Sequence, residues 1–173
     1  KYRSVFRLSA IDDCKFHLEY IIVDGGSVDE TIDIIKKYEP FFKGRMKWIS
    51  EKDKGMYEAM NKGIKMSSGK IIGIINSDDW YEKDIIQQIV EKMQGYDMLH
   101  GQMRFINSER NIIKVYSHKK GRLKKYMCTP YNHPTMFVKK YVYDALGLFN
   151  ESYSTAGDYD FMLRFFNSKF NDI

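Results

Sequence analysis

Cysteine is almost missing from this chain. Its 173 residues hold only Cys14 and Cys128, far apart and without Cys-x-x-Cys spacing, which argues against a disulfide framework or a structural zinc site and fits a reducing cytoplasm. Apolar runs are short, none nearing the roughly 18 to 20 residues that span a bilayer. No charged-then-apolar leader opens the sequence, so a soluble, unprocessed chain is expected. Two phosphate-binding signatures are also lacking, Gly-x4-Gly-Lys-Ser/Thr and Gly-x-Gly-x-x-Gly. With no repeat, low-complexity tract or linker, one domain over 1–173 is expected.

What is present describes an ordered globule. Apolar residues make up 43% and aromatics 15% of the chain, enough for a packed core. A net charge of +5 and a pI near 9.0 favour an anionic partner: nucleic acid, an anionic membrane surface or a phosphorylated small molecule.

Strand and helix patterns alternate through the first half. Glu19 to Val23 is β-branched and aromatic and breaks at Asp24-Gly25-Gly26. Ser27 and Glu30 have capping-box spacing before a helix through Ile32, Ile35 and Tyr38 that Pro40 ends. A short strand over Met46–Ser50 leads through Glu51–Gly55 to a helix with Met56, Ala59, Met60, Gly63 and Ile64 on one face. The third unit is a strand, Ile71–Ile75, followed by Asn76-Ser77-Asp78-Asp79-Trp80 and a helix through Ile85, Ile86, Ile89, Val90 and Met93. Such alternation implies an α/β fold with a mainly parallel sheet between helical layers. Beyond Gly95, strands are expected over Met98–Gly101, Met103–Asn107 and Ile112–Tyr116, the last two a hairpin, which adds antiparallel edges. Thr135–Lys139 reads as a further strand and Asp158–Phe166 as a last helix. Lys1–Asp13 reads as a helix rather than the apolar strand that usually opens such a sheet. A first strand is therefore expected to lie outside the chain, and both ends read as incomplete.

Carboxylates recur where the strands end, the position at which open α/β sheets form their ligand crevices. Asp78 and Asp79 suit a hard divalent cation, Mg²⁺ or Mn²⁺, whose shell a diphosphate completes; alternatively they form a turn capping a helix near Glu82. Asp24 can accept from a ribose hydroxyl or base N–H, with Gly25 and Gly26 allowing close approach, or it can close an Asx-type loop. Asp53 and Gly55 repeat this arrangement, with Glu58 and Asn61 further along the helix, at a helix N-terminus able to face phosphate or as a solvated charged loop. Asp158 and Asp160 open the final helix, either as a base for an acceptor hydroxyl or as helix-capping charges. His133 is a candidate third metal ligand or phosphate hydrogen-bond partner, against a purely structural role. Lys114, His118, Lys119, Lys120, Arg122, Lys124 and Lys125, interleaved with Tyr116 and Tyr126, form a basic patch that is either a solvated face or a contact for anionic lipid or nucleic acid.

Together, Tyr20–Asp29, Ser50–Gly63 and Asn76–Trp80 closely resemble family 2 glycosyltransferases. The similarity is strong over about residues 19 to 94 and looser to Gly157–Asp160 and Arg164. Ser77 stands at the first position of the metal motif, and Glu58 where many members have Asp. The resemblance implies a GT-A fold and inverting sugar transfer from a nucleotide-diphosphate sugar, a UDP-sugar first among them, with Mg²⁺ or Mn²⁺. It implies Asp24 as the base- or ribose-binding aspartate, Asp78 near the ribose, Asp79 on the metal, and Asp158 as catalytic base with Asp160 as local alternative. The expected acceptor is a glycan or lipid-linked glycan used in cell-surface polysaccharide or glycolipid synthesis, with peripheral contact at the inner face of the membrane through the basic patch. The rival readings are a non-catalytic nucleotide-sugar-binding scaffold and a basic nucleic-acid-binding protein, the latter disfavoured because no nucleic-acid motif appears.

Overall fold

The computed structural model describes residues 17–116 and 132–170. The expected helix over Lys1–Asp13 and most of the basic patch lie outside these residues. In chain order the elements are β1 (Tyr20–Asp24), α1 (Thr31–Tyr38), β2 (Met46–Ser50), α2 (Met56–Met66), β3 (Ile71–Gly73), α3 (Ile85–Lys92), β4 (Met98–His100), β5 (Met103–Ile106), β6 (Ile112–Tyr116), β7 (Met136–Lys139), α4 (Lys140–Leu146) and α5 (Gly157–Phe166). Short 3₁₀ turns cover Glu39–Phe42, where Pro40 ends α1, and His133–Thr135 before β7.

Alternation along the strands builds three layers. In β7 Met136 and Val138 join the largest core, with Ile72, Met98, residues of α2 and α4, and Phe161, Met162 and Phe165 of α5. The intervening Phe137 points to the other face, where it packs with Leu99, Ile71 and the Ile89–Met93 side of α3. Successive side chains of a strand leave opposite faces of the sheet, so a strand apolar at every position must be covered by helices on both sides. A third core joins Ile35, Phe42 and Met46 under β1 and β2.

β1 and β2 pair in parallel from Tyr20 opposite Met46 to Asp24 opposite Ser50. β7 runs antiparallel between β3 and β4, with Val138 opposite both Ile72 and Met98. The reversed strand is thus interior to its sheet, where the sequence suggested antiparallel edges. The β5–β6 hairpin forms a separate two-stranded sheet. Among the described strands, β1 and β3 share no ladder, and a cavity of about 710 Å³ lies there, lined in part by Ile21, Val23, Met60, Ile71 and Ile86.

Local details differ from the sequence expectation for identifiable reasons. The Ser27/Glu30 capping box does not form. The Ser27 hydroxyl donates to the Asp24 carboxylate instead, a stronger acceptor than a neutral cap partner, while Asp29 accepts from the backbone and hydroxyl of Thr31. The buried stripe of α2 runs Tyr57, Met60, Asn61, Ile64, leaving Met56 exposed. Strand β3 ends at Gly73, two residues before Ile75. A Cβ at Gly73 would lie 2.3 Å from the Phe137 ring, so only glycine lets that ring close over the strand.

Candidate functional site

The carboxyl ends of β1 and β2 form one part of the site. Asp24 is buried, and its carboxylate accepts from the Gly26 and Ser27 backbone N–H groups at 3.0 and 2.9 Å and from the Ser27 and Ser50 hydroxyls at 2.5 and 2.6 Å. Burial pushes the Asp24 carboxyl upward, but these hydrogen bonds outweigh it and hold the group below the ordinary value of 3.8. Gly26 sits at φ +85°, in the left-handed region, with the backbone of Lys52 behind it. Gly25 brings the loop against Asp53, whose Oδ2 would be 3.4 Å from a Cβ there. Asp53 itself pairs with Lys62, which also meets Glu51 at 2.8 Å and Glu58 at 3.5 Å. Hydrogen bonds to Asp53 and Glu51 hold the Lys62 ammonium well above its usual range.

Beyond β3, Asn76 to Asp79 form a turn closed by the Asp79 N–H on the Asn76 carbonyl at 3.2 Å. The Asn76 amide Nδ2 donates to Asp79 Oδ2 at 3.0 Å. Helix α3 begins later, with Asp84 at its N-cap, so neither Asp78 nor Asp79 caps it. Asp78 is exposed.

β7 carries the opposite wall. Because it is antiparallel to β3, the turn preceding it lies at the edge where β3 ends. His133 in that turn places Nε2 3.3 Å from Asn76 Oδ1. Its Nδ1 is 3.5 Å from Asp158 Oδ2. Asp158 stands in the first turn of α5, where the helix dipole favours an anion, and accepts from the Tyr57 hydroxyl at 3.1 Å. His133 beside it, working against burial and joined by Tyr57, holds the Asp158 carboxyl below its ordinary value. The carboxylate therefore stays ionised at neutral pH. The approach of α2 to α5 requires Gly157, since a Cβ there would be 2.8 Å from the Tyr57 ring.

The candidate residues therefore fall into groups. Asp79, His133 and Asp158 are joined through Asn76. Asp24, Gly25 and Asp53 form the neighbouring loop pair. Asn61 stands apart: it is buried, receives the Phe149 N–H on Oδ1 at 3.0 Å, and donates from Nδ2 to the Phe149 carbonyl at 2.9 Å and to Glu151 at 2.8 Å. Its amide anchors the chain after α4, in place of the ligand role expected for it. Asp160 accepts both Nε and Nη2 of Arg164 at 3.0 and 2.9 Å. Arg164 also donates to the carbonyls of Leu146, Gly147 and Leu148. Among the described residues no three His, Cys, Asp or Glu side chains converge as a metal cage. His133 reaches the Asp79 turn through Asn76, with Nε2 beside Asn76 Oδ1 and Nδ1 beside Asp158 Oδ2.

Sequence reasoning missed Asn76, Tyr57 and Lys62. Asn76 had a signal in the Asn-Ser-Asp-Asp turn itself. Tyr57 and Lys62 had none beyond their place on the helix that follows the Asp53 loop.

Comparison with known proteins bears on this arrangement. A PGL/p-HBAD biosynthesis glycosyltransferase of Mycobacterium bovis (strain BCG / Pasteur 1173P2) is 26% identical over 154 residues, covering 87% of this chain and 59% of that protein. Chondroitin synthase of Escherichia coli is 30% identical over 165 residues, 90% of this chain and 23% of its own. The chain thus spans only part of these relatives. Among solved structures, S. aureus TarS 1-349 in complex with UDP-GlcNAc superposes with a TM-score of 0.72 at 20% identity, covering 96% of this chain and 50% of that one. The complex of the same protein with UDP gives 0.71 at 19% identity, over 96% and 51%. These likenesses establish the fold, that of GT-A enzymes. The model of "Glycosyl transferase family 2" matches residues 3–156, and the chain belongs to that family.

Proposed function

We propose that this chain forms the donor-binding and catalytic part of a metal-dependent inverting glycosyltransferase that moves a sugar from a UDP-sugar to an acceptor hydroxyl. The observation that carries the reading is the junction of the Asp79 turn and Asp158 at one sheet edge through Asn76 and His133. One group can face a diphosphate while the other faces an acceptor.

The donor set fits a hard cation. Asp79, with Asp78 beside it, offers carboxylate oxygens and leaves the other ligand positions to diphosphate and water, as Mg²⁺ and Mn²⁺ prefer. When bound, such a cation would stabilise the negative charge of the departing diphosphate. The remaining steps belong to protein groups. The loops at Asp24–Ser27 and Asp53 border the nucleoside, with Asp78 toward the ribose. Asp158, ionised at neutral pH, takes the acceptor hydroxyl proton as that oxygen bonds to the anomeric carbon. The bond to the diphosphate breaks with its electron pair leaving on the diphosphate, and the configuration at the anomeric carbon inverts. Asp160, already held by Arg164, stabilises the α5 start.

The relatives support a polysaccharide or glycolipid acceptor, and the UDP and UDP-GlcNAc complexes of TarS support the donor class. None of the helices among the described residues is long and apolar enough to cross a membrane. Contact with the membrane inner face through the basic patch remains part of the proposal.

Sugar transfer by the full-length protein, scanned over UDP-sugars with Mn²⁺, tests it. Asp158→Asn and Asp79→Asn should each lower kcat by about 100-fold or more, the scale of a lost general base or charge stabiliser. Unchanged transfer by both variants would overturn the assignment.

A further inference from the structure

We infer that His133 and Asn76 are positioning residues, forming a polar bridge that fixes the Asp158 carboxylate relative to the Asp79 turn. This rests on the reading of Asp158 and Asp79 given above and adds a role that neither residue type implies by itself.

The bridge has a defined polarity. Asn76 donates from Nδ2 to Asp79, which leaves its Oδ1, an acceptor only, toward His133. That contact takes a hydrogen on His133 Nε2, and the ring donates along both arms at once when each of its nitrogens carries a hydrogen. Its other nitrogen meets Asp158 Oδ2, while Tyr57 donates to Oδ1 of the same carboxylate. Asp158 is gripped from two sides by side chains of α2 and of the turn before β7. Five residues from 57 to 158 are linked this way, so the geometry depends on tertiary packing throughout. A carboxylate this constrained keeps free lone pairs for an incoming proton, and its aim follows the turn that would hold the diphosphate. Correct aim matters strongly, since an error of about 1 Å in a reacting group costs on the order of 100-fold in rate.

Two amide replacements separate the arms of the bridge, because an asparagine amide nitrogen overlays imidazole Nδ1 and a glutamine amide nitrogen overlays Nε2. Transfer is measured in the full-length protein with UDP-sugar and Mn²⁺, recording kcat, donor KM, the Mn²⁺ concentration for half activation, and Tm. His133→Gln keeps the Asn76 contact but releases Asp158; kcat should fall about 10- to 100-fold with donor KM nearly unchanged, the signature of an interaction realised in the transition state. His133→Asn still donates to Asp158 but gives up the Asn76 contact, so kcat should fall by less than in His133→Gln while remaining below wild type. Unchanged kcat in His133→Gln would overturn the inference. So would equal losses in both variants accompanied by a raised Mn²⁺ requirement, which would make His133 a metal ligand, or by a matching fall in Tm, which would make it purely structural. Asp158→Asn is run alongside. If that variant transfers normally, the functional reading itself fails; if it is inactive while His133→Gln is normal, only the bridge fails.

Discussion

Four hydrogen bonds meet on the buried carboxylate of Asp24, making it the best-satisfied charge at this edge. Asp24→Asn replaces one acceptor oxygen by a donor that faces other donors, so it should destabilise the fold by about 1–3 kcal/mol. The pH dependence has a definite sign. The folded-state pKa lies below 3.8, so the carboxylate's contribution is complete above that value and is lost as pH falls through the lowered one. Urea unfolding of wild type and Asp24→Asn should show a constant gap between pH 7 and pH 5 and a narrowing gap below 3.8; a gap that widens in acid would contradict it. Asp160 gives the complementary case. Asp160→Asn should lower Tm while leaving transfer near wild type, and loss of transfer with an unchanged Tm would move the base assignment to Asp160. Adjacent carboxylates on one helix turn are indistinguishable in a sequence. What separates Asp158 from Asp160 is contact with His133 and Tyr57 on one side and Arg164 on the other.

At the level of elements, the reversed strand β7 organises the site. Its register places Phe137 opposite Gly73 and Leu99, and so puts the His133 turn beside the end of β3. Gly73→Ala would drive a methyl into the buried Phe137 ring. The expected cost is about 1–3 kcal/mol by overpacking, read as a lower urea midpoint; a neutral result would show that the ring can move aside. The strands, helices and approximate boundaries of β1 through α3 were legible in the sequence because periodicity and turn residues are local signals. The place of β7 was not, since pairing between residues some 65 positions apart leaves no local trace: Ile72 with Val138 is one such pair. The capping box was legible and still wrong, because Asp24, a charged acceptor, captured its serine.

For the whole molecule the question is whether the two loop groups act together on one ligand. UDP with Mn²⁺ should raise Tm by roughly 5–10 °C at about 100 times Kd, and chelation or Asp79→Asn should remove most of that shift. Equal shifts with and without Mn²⁺ would show nucleotide binding independent of the Asp79 turn.

The sequence alone determined which loops carry carboxylates and that those loops follow strands, since strand period, glycine and aspartate turns are written within a few residues of one another. The tertiary structure decided the partners: Asn61 with the Phe149 backbone, Asp160 with Arg164, and His133 between Asn76 and Asp158. Those choices depend on which elements pack side by side, and an antiparallel strand among parallel neighbours brings together residues that no local pattern could pair.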